Sequence, residues 1–61
     1  MKHIRYAVRT DEGYIRRKAS SYFEKTTFDK ADLYLSETQA KIRAKSEEGI
    51  VVKVVIEEVT E

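Results

Sequence analysis

Few residues in this 61-residue chain have the types to do chemistry: one histidine, two Glu-Glu pairs, a serine pair and a run of three cations. His3 could act as a base, but local sequence places no serine or carboxylate beside it. Glu47-Glu48 and Glu57-Glu58 have the composition of an acid/base pair or of a hard-metal site. Paired glycosidase carboxylates need a substrate cleft between them, and a hard cation needs several converging oxygens. Neighbouring glutamates on a strand point to opposite faces, and Glu47-Glu48 fall at a helix end, so both pairs read as solvated surface. The second pair also guards an apolar strand against edge pairing. Ser20-Ser21 satisfy backbone groups at a bend. Without a glycine-rich loop or a cysteine, no catalytic residues, metal ligands or cofactor are expected, and the chain reads as a non-enzyme.

The remaining candidates are cations interleaved with rings. If Ile4, Tyr6, Val8, Ile15 and Phe23 face a core, alternation puts His3, Arg5, Arg9, Tyr14, Arg16, Lys18 and Tyr22 on the opposite face. Cations neutralise phosphates and rings stack on unpaired bases, so this face suits a nucleic acid or an acidic partner. The plainer alternative is that the same charges only solvate an exposed sheet. In Arg16-Arg17-Lys18 successive side chains alternate, so Arg17 points toward the core side or bends to solvent.

Elements must position these residues. Residues 3–9 alternate as a half-buried strand, and Thr10-Asp11-Glu12-Gly13 closes a hairpin. Tyr14 to about Lys25 reads as a second strand, bent near Ala19-Ser20-Ser21. Residues 29–35 admit two readings: the start of one long helix, or a turn followed by an extended Leu33-Tyr34-Leu35. The second is preferred, because Ser36-Glu37-Thr38-Gln39 has the form of a capping box and Gly49 is a natural stop.

The last segment, Ile50-Val51-Val52-Lys53-Val54-Val55-Ile56, is strongly β-prone. Its face of Ile50, Val52, Val54 and Ile56 is wholly apolar and is expected under the helix. Val51, Val55 and Val59 form a second stripe, which with Tyr34 is expected to make a protein interface or a weak homodimer. The resulting expectation is a single α+β domain over residues 1–61. It has a small antiparallel sheet of three to four strands in ββαβ order, packed against one helix. The core should comprise Ile4, Tyr6, Val8, Ile15, Phe23, Leu35, Ala40, Ile50, Val52, Val54 and Ile56.

Residues 1–25 carry seven basic and three acidic side chains, and residues 26–61 carry five and eight. The front is basic and the rear acidic. No apolar run approaches the ~20 residues that span a membrane. Met1-Lys2-His3-Ile4-Arg5 leads straight into alternation, so no signal peptide is expected and the location is cytoplasmic.

The stretch Thr27-Phe28-Asp29-Lys30-Ala31-Asp32-Leu33-Tyr34-Leu35-Ser36-Glu37-Thr38-Gln39-Ala40 resembles a pattern in small uncharacterised proteins of Gram-positive bacteriophages and prophages. There a hairpin strand precedes an Ala-x-x-apolar segment, a Ser/Thr-capped helix with a buried alanine, and a Val-rich strand. Ala31, Leu35, Ser36, Ala40 and Ile50–Ile56 follow that order; Arg43 and Glu47 depart from it where an apolar helix face belongs. The resemblance implies a fold and a setting, the host cytoplasm, and the function expected there is a non-enzymatic accessory protein that binds a host or phage macromolecule, a defence-system component among the candidates. It brings no catalytic residues. The alternative function is a nucleic-acid-binding module using the basic hairpin face.

Overall fold

A computed structural model describes residues 2–60. It is an α+β fold with the elements β1 (Lys2–Thr10), β2 (Gly13–Ala19), β3 (Tyr22–Thr26), a 3-10 turn (Phe28–Lys30), α1 (Glu37–Ser46) and β4 (Ile50–Glu57). The strands form one antiparallel sheet in the order β3-β2-β1-β4. Three strands precede the helix, which corrects the expected ββαβ order. The long strand expected from Tyr14 to Lys25 folds back at Ser20-Ser21 into a second hairpin. Arg17 makes that turn without glycine: its guanidinium donates to the carbonyls of Ala19 (3.3 Å) and Ser20 (2.8 Å). The register shifts between Arg17 and Ala19.

The first hairpin turns at Asp11-Glu12, where Thr10 Oγ1 donates to the Gly13 carbonyl and accepts from the Glu12 amide. Gly13 has φ +130°, and a Cβ there would meet the Thr26 carbonyl at 2.8 Å, so glycine is required. β1 and β2 then pair only at Arg9–Tyr14 and Thr10–Gly13. Beyond that they separate, and the connector fills the gap. Tyr34 exchanges backbone hydrogen bonds with Tyr6, while the Asp32 amide donates to Ile15 and the Asp32 carboxylate accepts from the Arg17 amide. Within the extended segment Leu33-Tyr34-Leu35 an isolated bridge thus forms at Tyr34.

α1 begins where the capping box predicts. Ser36 is the N-cap and its Oγ accepts from the Gln39 amide at 3.3 Å. The helix ends differently from expectation. Glu48, not Gly49, takes the left-handed conformation (φ 56°), and the Gly49 amide donates to the Ala44 carbonyl. Gly49 is needed for another reason: a Cβ there would lie 2.7 Å from the Arg9 carbonyl and 3.0 Å from Val8 Cγ1. This close approach sets β4 against β1, with Ile50 opposite Arg9 and Val51 opposite Val8.

That register decides the core. Val8, Ile15, Ala40 and Ala44 are buried together, with Tyr6, Phe23, Tyr34 and Val51 packed around them. α1 therefore lies on the face of Val51, and Ile50, Val52, Val54 and Ile56 fall on the other side of the sheet. This corrects the expected core. Ile4, Ile50 and Ile56 are exposed, and Leu35 is 75% exposed. Ala7 and Ala44, which the sequence reading did not place in the core, are buried. Full burial of Val8 and Ile15 stabilises the fold by about 1.5–3 kcal/mol each.

Candidate protein-docking face

The sheet face away from α1 is built by the β1–β4 ladder. Cross-strand partners share a face, so each β1 residue there stands beside an aliphatic one: His3 by Ile56, Arg5 by Val54, Ala7 by Val52 and Arg9 by Ile50. The outcome is a column of branched aliphatics along the edge strand, flanked on β1 by Arg5 and Arg9, with Ala7 between them and His3 at the end. Ile50 is 54% exposed and Ile56 38%, whereas Val54 is buried. Arg5, opposite Val54, is half-buried and donates from Nη1 to the Ile4 carbonyl at 2.8 Å.

β2 and β3 extend the same face with Tyr14, Arg16, Lys18, Tyr22 and Glu24. Alternation from Ile4, Tyr6 and Val8 thus places Arg5, Arg9, Tyr14, Arg16, Lys18 and Tyr22 together as expected. Their surroundings differ, however. Glu24 stands 3.8 Å from both Arg16 Nη1 and Lys18 Nζ. The Tyr14 ring meets the Phe28 ring edge-on at 5.2 Å between centroids. The cations of this half are partly neutralised within the protein, and one ring already has an aromatic neighbour. Tyr22 is exposed near the hairpin tip.

The residues expected to form a protein interface are not brought together. Val51 is packed into the core, Val55 and Val59 are exposed, and Tyr34 pairs with β1 on the side facing β2. β1 therefore separates Tyr34 from β4. The aliphatic column Ile50, Val52, Val54 and Ile56 was missed as a surface. Its signal was present, since Gly49 and the short link from α1 restrict the register, but the choice of face depends on a long-range pairing.

A concavity of about 370 Å³ lies between α1, the connector and the β2–β3 hairpin, lined in part by Phe23, Tyr34, Ile42 and Arg43. The Arg43 guanidinium lies 3.9 Å from the centre of the Phe23 ring, with Nη1 3.8 Å from Glu47. The polar groups here serve the fold: Asp32 holds the Arg17 amide, and Arg17 holds the turn carbonyls. Burial, followed by the charge of Asp32, raises the Tyr34 phenol above its ordinary pKa. No cluster of three or more His, Cys, Asp or Glu that could hold a metal occurs among the described residues. No helix among them is long and apolar enough to cross a membrane.

No family model, curated protein or solved structure matches the chain.

Proposed function

We propose that this chain is a non-enzymatic accessory protein that binds another protein through the open face of its β1–β4 ladder. The setting we favour is the host cytoplasm, with a host or phage protein as partner. One observation carries the reading: an aliphatic column runs beside Arg5 and Arg9 on the sheet face away from α1, buried at Val54 and exposed at its two ends, Ile50 and Ile56. Branched aliphatics on a sheet gain by desolvation, and flanking cations select the partner's charge. The fitting partner presents an apolar segment bordered by Asp or Glu.

The alternative reading, a nucleic-acid-binding module, draws support from the shared face of Arg5, Arg9, Arg16, Lys18 and Tyr22. Glu24 and Phe28 count against it, because they occupy the cations and the ring that phosphates and bases would use.

One experiment separates the two. The tagged chain is used to capture partners from nuclease-treated host lysate, beside an Ile50→Ser/Arg5→Glu variant and an Arg16→Glu/Lys18→Glu variant, each checked for folding by circular dichroism. Protein docking requires a captured protein that binds directly when purified and is lost with the first variant but kept with the second. Failure to retain any such protein, or equal retention by the folded Ile50→Ser/Arg5→Glu variant, would refute it. Single-stranded or duplex probes bound steeply salt-dependently, and released by the second variant, would establish the alternative.

A further inference from the structure

β4 is an edge strand. Its inner side pairs with β1 along the whole run from Lys2–Glu57 to Arg9–Ile50, and no strand among the described residues lies on its outer side. It is eight residues long, contains no proline and carries apolar residues on both faces. Such an edge is a template for another strand unless its charges block it, as Glu57-Glu58 were expected to do, and a charge blocks only those registers that leave it unmatched. The charges inside it are Lys53 and the terminal Glu57, which lie on the helix side of the sheet. Neither has a salt-bridge partner among the described residues.

We propose that the occupant of this edge is a second copy of the chain, paired antiparallel through β4 about a twofold axis at Val55. In this register Lys53 faces the partner copy's Glu57, and the reverse contact follows by symmetry. On the open face Val54 stands beside the partner copy's Ile56. Other registers consistent with the symmetry are poorer. A twofold at Lys53 opposes lysine to lysine, one at Glu57 opposes glutamate to glutamate, and one at Val54 or Ile56 sets each charge against a valine. Charge complementarity thus selects one register of a strand whose apolar residues would tolerate several. The pairing makes an eight-stranded sheet in which the two copies' aliphatic columns overlap at Val54 and Ile56. It is independent of the docking reading, since it uses the strand's edge and its helix-side charges.

The test is charge exchange in the full chain, read by sedimentation equilibrium over a broad concentration range, with circular dichroism to confirm folding. The native chain should dimerise reversibly. Lys53→Glu alone and Glu57→Lys alone should each weaken the dimer roughly tenfold, because each opposes like charges twice. The double variant Lys53→Glu/Glu57→Lys should restore association to the native level. Val55→Cys supplies a second readout. The chain has no other cysteine, and the twofold brings the two copies' residue 55 together, so mild oxidation should cross-link it whereas Val51→Cys should not react. A native chain that stays monomeric at the highest concentrations would overturn the proposal. So would a dimer indifferent to the single exchanges or not rescued by the double.

Discussion

Tyr6 and Tyr34 exchange backbone hydrogen bonds at 2.9 and 2.7 Å, so the connector, and not β2, pairs with the middle of β1. On the other side of the gap, Asp32 takes the Ile15 carbonyl and the Arg17 amide. One short segment thereby satisfies two strands that would otherwise leave polar backbone unpaired.

Asp32 is the more fragile side of that arrangement. Its carboxylate accepts from the Arg17 amide at 2.7 Å. Asp32→Ala should cost about 1–2 kcal/mol, the usual range for a hydrogen bond to a charged group at a partly exposed site, while Asp32→Asn should cost less because it keeps an acceptor. Urea denaturation measures both. In the alanine variant the Arg17 amide should also lose protection from hydrogen exchange.

Ala40 is fully buried against Val8 and Ile15. The helix sits close to the sheet because its inner face is alanine. Ala40→Leu should destabilise the fold by about 1–3 kcal/mol through overpacking. Ile42→Lys, at an exposed position on the same helix, should change stability by less than about 0.5 kcal/mol. Equal effects in thermal melts would show that the helix faces have been assigned wrongly.

Glu48 holds a left-handed conformation that costs a residue with a Cβ about 1–2 kcal/mol. Glu48→Gly should therefore raise stability, by up to about 1 kcal/mol after the entropy that glycine adds to the unfolded chain. Gly49→Ala should lower it, because the new Cβ meets the Arg9 carbonyl. Opposite signs at adjacent positions would identify which residue terminates the helix.

The Tyr34 phenol has its pKa raised above 10.0, chiefly by burial and secondarily by Asp32, while Arg43 and Arg17 oppose the shift. Folding thus favours the neutral phenol. Its contribution to stability is complete below pH 10.0 and is lost as pH rises through the higher folded value. Stability should fall on the alkaline side, and Tyr34→Phe should flatten that limb. Denaturation midpoints between neutral pH and pH 11 provide the measurement.

Local chemistry was legible in the sequence. The Ser36 cap, the Gly13 turn and the β4 run depend on a few adjacent residues, and each lies where those residues put it. The shared face of Arg5, Arg9, Arg16 and Lys18 followed from alternation alone. What escaped depended on distant partners. Ile50, Val52, Val54 and Ile56 were expected in the core as the more apolar side of their strand, yet Gly49 against Arg9 and the short link from α1 turned that side away from the helix. The turn at Ser20-Ser21 carries no glycine, proline or asparagine; the Arg17 side chain that holds its carbonyls leaves no positional signature. Tyr34 gave no sign of pairing with a strand almost thirty residues earlier.

The β1–β4 ladder also sets the order of assembly. β1 is first in sequence, but its nearest neighbour in the chain holds it at only two residue pairs; its long partner is the last strand. Both short hairpins can close within microseconds. They cannot complete the sheet, because the connector must enter the gap and β4 must reach back across nearly the entire sequence. Loop closure is therefore spent before most of the stabilising contacts form. Folding should be slow for a domain this small, on the millisecond-to-second scale of non-local β topologies, with the N-terminal strand the last to find its full complement of bonds.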